Sequence, residues 1–62
     1  MNQEKYAMLK ATTPLKLEIT LGVIKQELNV DTDEALEMLN RLAIEGVIEP
    51  MPYDGTHFRV KR

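Results

Sequence analysis

Apolar residues return along this chain at two different periods, and the switches between them predict an order of elements. In "NQEKYAMLKA" Tyr6 and Leu9 share a helical face with Ala7 and the stem of Lys10, and Met8 lies nearby. That spacing predicts a first helix over Gln3–Ala11. "TTP" should end it, because the residue before a proline is pushed out of the helical region. "LKLEIT" then alternates, with Leu15, Leu17 and Ile19 on one side and Lys16, Glu18 and Thr20 on the other. A period of two predicts a half-buried strand over residues 15–19, its three apolar side chains facing inward.

The helical period returns at Leu21, Ile24 and Leu28, with Thr20 placed as an N-cap, so a second helix is predicted over Leu21–Leu28. "NV" makes a tight turn. Asp31 followed three residues later by Glu34 has the form of a capping box, and the further acid in the first turn suits the helix dipole. Ala35, Leu39 and Leu42 repeat at four and three on the inward face of this third helix, and Gly46 supplies its left-handed terminator. Beyond it "VIEP" is strand-like, "MPYDGT" carries turn signals and "HFRVKR" alternates, with Phe58 and Val60 inward and His57, Arg59 and Lys61 outward. Asp54-Gly55 between two such runs predicts a hairpin over residues 47–50 and 57–61.

Length changes the picture first. Sixty-two residues make one small domain. A chain this short buries only roughly 60% of the surface it exposes when unfolded, so its stability is marginal. With no cysteine and a single histidine, disulfides, thiolate metal sites and imidazole-rich metal sites are excluded. Tight local packing, dimerisation or attachment to a larger protein remain as sources of stability. The N-terminus carries Glu4, Lys5 and Lys10 and no apolar run, which argues against a signal peptide. No segment approaches the roughly 20 apolar residues of a membrane span. A cytoplasmic protein with no membrane contact is the expectation.

The order helix, strand, helix, turn, helix, hairpin, carried by "ITLGVIKQELNV" and "ALEMLNRLAIEGVIEP", resembles the winged helix-turn-helix superfamily over most of the chain. The residues that carry the resemblance are Leu21, Ile24 and Leu28, Val30 in the turn, Ala35, Leu39 and Leu42, then Gly46, Ile48, Gly55 and Phe58. Similar small domains are the gamma domain of the bacterial DNA translocase FtsK, the C-terminal winged helix of the DNA-processing protein DprA, and the Pap-type fimbrial regulators. The resemblance implies an α+β fold of three helices and a small antiparallel sheet ending in a hairpin wing. It also implies double-stranded DNA as partner, in transcriptional regulation or DNA guidance.

Charge complicates that implication. Residues 1–25 hold four lysines against two glutamates, and residues 50–62 hold Arg59, Lys61 and Arg62 against Asp54. Between them, residues 26–49 hold seven acids against Arg41 alone. Affinity for duplex comes mainly from Lys and Arg neutralising phosphates. A DNA-facing third helix would present Asp33, Glu34, Leu36, Glu37 and Arg41, which opposes docking. Two readings follow. In the first, DNA is contacted mainly through the wing and basic termini by Arg41, Tyr53, Thr56, His57, Arg59, Lys61 and Arg62. In the alternative, Asp33, Glu34, Leu36 and Glu37 form a protein-interaction surface for a basic or apolar partner, or for a second copy in a homodimer.

Each of these residues also has a plain structural use. Asp31 and Glu34 serve as helix-start chemistry, and Glu37 as a solvated side chain. The wing's charges can protect an edge strand from aggregation, and His57 is a surface residue. Met38 and Ile44 are assigned to an extension of the core, and Leu36 to the outward stripe. Catalysis is not expected: the chain has no serine, no glycine-rich phosphate loop and no paired carboxylates with a pocket, and no cofactor is called for.

Overall fold

The computed structural model describes residues 2–55 and 57–61. Helix α1 runs over Gln3–Thr12 and passes into a 3-10 turn at Thr13–Leu15. Strand β1 (Glu18–Thr20), helices α2 (Leu21–Leu28) and α3 (Thr32–Ile44), and strand β2 (His57–Arg59) follow. The fold is α+β, three helices with a small antiparallel sheet, in a winged-helix arrangement.

Capping defines the helices. The Asn2 side chain accepts from the Lys5 N–H, Thr20 from Val23 at 3.1 Å, and Asp31 from Glu34 at 2.8 Å. Each satisfies a donor that the first turn of a helix leaves without a partner. At the other end of α3, Gly46 adopts φ +79°. Its N–H donates to the Ala43 carbonyl and that of Val47 to Leu42, the paired bonds of a Schellman motif. Asn29 ends α2 with φ 54°, a conformation asparagine tolerates better than most residues.

Strands β1 and β2 pair antiparallel with Glu18 opposite Arg59, Ile19 opposite Phe58 and Thr20 opposite His57. The first arm of the hairpin joins the far edge of β2 through a bridge between Ile48 and Val60. Two bonds flank it: Glu49 donates to the Arg59 carbonyl and Lys61 to that of Val47. The ladder is therefore shorter than the expected 15–19, 47–50 and 57–61. Pro50 and Pro52 lie in that arm without an N–H to donate, which limits regular pairing there.

The core is drawn from the three helices, β1 and the residues that flank β2 and its partner arm. Tyr6 and Leu9 come from α1, Ile19 from β1, Ile24 from α2, and Ala35, Met38, Leu39 and Leu42 from α3; Ile48 and Val60 close it from the hairpin. Leu21, Leu28, Val30, Val47 and Phe58 pack partly buried against it. Ala35 is fully buried on the inward face of α3, the helix that packs against α2. Met38, with 0% exposure, belongs to the core as expected.

Four expectations are corrected. Thr13 stays in the right-handed helical region although it precedes proline, and the chain tightens into a 3-10 turn with Pro14 near its start. The Thr12 and Thr13 hydroxyls donate to carbonyls of Met8 and Leu9 there, so side chains supply bonds at the helix end. Leu15 and Leu17, expected inward, are 84% and 75% exposed. Leu15 lies in the 3-10 turn, outside the alternating strand. Leu17 precedes the ladder, and alternation specifies a face without ensuring that another element reaches far enough to cover it. Ile44 is 71% exposed, not an extension of the core. It sits about 160° around the helix from Leu42, on the outward side. Ala7, placed on the buried face of α1, is also exposed.

Candidate interface on the third helix and the wing

Helix α3 buries the side defined by Ala35, Met38, Leu39 and Leu42. At about 100° per residue, its opposite stripe carries Asp33, Glu37, Asn40 and Ile44. Leu36 flanks that stripe on one side and Arg41 on the other. All six of these side chains are exposed. Glu34 is half-buried, its N–H held by the Asp31 cap, so it contributes less to the outward surface than Asp33 and Glu37.

The sole base of the stripe is already engaged. The Arg41 Nε donates to Glu45 Oε2 at 3.0 Å, and Lys10 of α1 pairs with the other oxygen of the same carboxylate. The Lys10 ammonium and then the Arg41 guanidinium hold the Glu45 carboxyl below its usual pKa. The Tyr6 hydroxyl is buried in the same region and makes no hydrogen bond of good geometry among the described residues. Burial first, and the Glu45 charge second, raise its pKa. A cleft of about 390 Å³ opens beside this group, lined by Gln3, Tyr6, Ala7, Lys10 and Arg41.

The wing residues converge on β1 and on one another. The Tyr53 hydroxyl donates to Glu18 Oε2, which raises the tyrosine pKa. The Arg59 guanidinium lies 5.1 Å from the centre of the Tyr53 ring, within cation–π range. Asp54 accepts from the His57 N–H at 2.9 Å and contacts His57 Nδ1 at 2.8 Å, while His57 Nε2 lies 3.9 Å from Glu18. The same register sets Arg59 between Glu18 on one neighbouring strand and Glu49 on the other. Lys61 is exposed at the end of this arm. Thr56 and Arg62, also expected at a nucleic-acid contact, lie outside the described residues.

Between α3 and the hairpin lies a groove of about 200 Å³ lined by Leu36, Leu39, Asn40, Ala43, Pro50 and Phe58. Five of the six are apolar. Ile44 and Met51 add exposed apolar surface to α3 and to the hairpin arm. Periodicity puts Leu36, Asn40 and Ala43 on one face of α3 but does not show the groove, because Pro50 and Phe58 meet that face only through the fold. Among the described residues, no group of three His, Cys, Asp or Glu is placed to hold a metal ion. No helix among them is long and apolar enough to cross a membrane.

No protein-family model, curated relative or solved structure matches the chain.

Proposed function

We propose that this chain is a protein-binding module on a winged-helix scaffold, engaging its partner through α3 and the groove beside the hairpin. The distribution of charge carries this reading. On the two elements that a winged helix would offer to DNA, Arg41 is held by Glu45, and Arg59 stands over the Tyr53 ring. Asp33 and Glu37 face outward beside an apolar groove. Duplex affinity needs cations free to displace counterions, and the outward stripe of α3 offers Asp33, Glu37, Asn40 and Ile44 with Leu36 at its flank. An interface of this kind draws affinity from an apolar anchor such as Leu36, while its carboxylates orient the partner and select a basic one.

The test is titration with random-sequence duplex at low and then raised salt. The expected result is no saturable binding at either salt. Tight binding that weakens steeply with salt would sink the protein-binding reading.

The second reading is duplex contact through the wing, by Arg41, Tyr53, His57, Arg59 and Lys61 with Thr56 and Arg62. The element order and the exposed Lys61 favour it. Under it, changing Arg59, Lys61 and Arg62 together to Ala weakens binding and flattens its salt dependence. Neutralising Asp33, Glu34 and Glu37 strengthens non-specific binding by removing repulsion.

A further inference from the structure

The cleft between α1 and α3 lies on the Arg41 flank of the outward stripe, apart from the groove beside Leu36. Gln3, Ala7 and Lys10 follow one another at four and three along one face of α1, with Tyr6 beside them, and Arg41 closes the cleft from α3. Among the described residues that line it, the charged ones are Lys10 and Arg41, both cations. The Glu45 carboxylate that they share is not in this lining, so it holds the pair from outside the cleft. Glu37, exposed one turn before Arg41 on α3, is not in it either. The pairing with Glu45 fixes two long side chains whose motion an incoming ligand would otherwise have to arrest. It uses only part of their capacity: Arg41 bonds through Nε, which leaves its terminal N–H groups outside that bond, and an ammonium has three donors.

Tyr6 adds an independent observation. The residue is 9% exposed, and its buried hydroxyl makes no hydrogen bond of good geometry among the described residues. The charges that act on it are those of Glu45 and Arg41, which places it beside the cation pair. A buried donor without an acceptor is unfavourable in the folded chain and becomes favourable once a ligand supplies the acceptor. Two cations against one carboxylate leave a single positive charge. That is a small term against a duplex, whose affinity sums over several phosphates, but it suits one oxyanion. The cleft volume of about 390 Å³ stands at the lower end of small-molecule sites. We propose that this cleft binds the phosphate group of a small phosphate monoester. Lys10 and Arg41 donate to its oxygens, the Tyr6 hydroxyl is reached as the oxyanion enters between them, and the Gln3 end takes the rest of the molecule. A carboxylate is the lesser fit, because donors from three side chains match the three terminal oxygens of a phosphate better than two. The site shares nothing with the groove and does not depend on how the groove is read.

The experiment titrates the isotope-labelled full chain with inorganic phosphate and, separately, with acetate, at fixed pH and at an ionic strength held constant with sodium chloride. Phosphate should give saturable amide shifts concentrated at Gln3, Tyr6, Ala7, Lys10 and Arg41, and acetate weaker binding at the same place. Lys10→Gln and Arg41→Gln should each weaken phosphate binding about tenfold or more, the loss of one bond to a charged group. Both also break a tie to Glu45, so Ala7→Glu is measured beside them. Ala7 is exposed, which spares the fold, and a carboxylate set in the lining should abolish binding. Tyr6→Phe should weaken binding roughly threefold or more with no loss of thermal stability, a combination that a purely structural hydroxyl would not give. Shifts that never saturate and spread over all the lysines overturn the proposal, as does binding that survives Ala7→Glu. Acetate binding as tight as phosphate overturns the assignment to a phosphate. Shifts at the cleft produced by random-sequence duplex but not by phosphate also overturn it, since the cleft would then be part of a nucleic-acid contact.

Discussion

The Arg59 guanidinium stands 5.1 Å from the centre of the Tyr53 ring, and the same tyrosine donates its hydroxyl to Glu18. The wing is thus tied to β1 through a phenol that must keep its proton. Glu18, as acceptor and as a negative charge, raises the Tyr53 pKa. A folded-state pKa above the unfolded value means the tie is fully present below the ordinary tyrosine pKa of roughly 10. It is lost as pH rises through the higher folded value. Tyrosinate absorbance should therefore develop above the normal range, with the amides of residues 53–58 gaining hydrogen exchange over the same interval. Tyr53→Phe should remove that alkaline loosening. Exchange that follows pH identically in the variant would show that the hydroxyl does not hold the wing.

Acid should act at the other end of the molecule. Lys10 and then Arg41 lower the Glu45 pKa, so this group's contribution is present above the ordinary glutamate range and fades as pH falls through the depressed value. Cross-linking α1 to α3, it should make α1 the first helix to loosen in mild acid. Glu45→Gln should flatten this part of the acid stability curve while leaving the alkaline side unchanged. An acid limb of unaltered shape would mean the contact contributes nothing measurable, as many exposed ion pairs do.

Tyr6 offers a substitution that should not harm the fold. Its ring is core, but its hydroxyl is buried without a good hydrogen bond, an arrangement that costs about 1–3 kcal/mol. Tyr6→Phe keeps the ring and removes the unsatisfied group. Stability should stay level or rise by up to about 1 kcal/mol in denaturant unfolding. A clear loss would reveal that the hydroxyl is bonded in solution, with Glu45 the nearest candidate.

Two changes should be costly for different reasons. Leu39 is 3% exposed in the middle of the core, and Leu39→Ala should remove about 2–5 kcal/mol, comparable with the whole stability of so small a domain. Gly46→Ala meets no steric obstacle, since nothing lies within 4 Å of an added Cβ. Its φ of +79° nevertheless disfavours any side chain, by roughly 1–2 kcal/mol. Equal and negligible effects in chemical denaturation would contradict both the core assignment and the left-handed terminator.

How much of this was legible beforehand depends on the distance over which each feature is decided. The bounds of helix α2, the caps of α2 and α3 and the Gly46 terminator agree with what the sequence predicts. These features depend on residues three to five positions apart. The same locality made the inward faces of α2 and α3 readable from their period. Burial at the margins was another matter. Leu17, expected inside, lies exposed because no covering element reaches it, whereas Ile44 faces outward by the geometry of its own helix.

The candidate interface divides in the same way. The acidity of α3 and the outward position of Leu36 follow from sequence and helical geometry alone. The groove beside Leu36 exists because the hairpin brings Pro50 and Phe58 against α3. The Arg41–Glu45 pair spans one helical turn, but Lys10–Glu45 and Tyr53–Glu18 join residues that only the packed fold makes neighbours, the second pair 35 positions apart. Local chemistry determined where the helices begin and end and which face of α2 and α3 is apolar. The tertiary structure alone decided which apolar residues stay uncovered and which charges meet, because both depend on the surfaces of elements far apart in the chain.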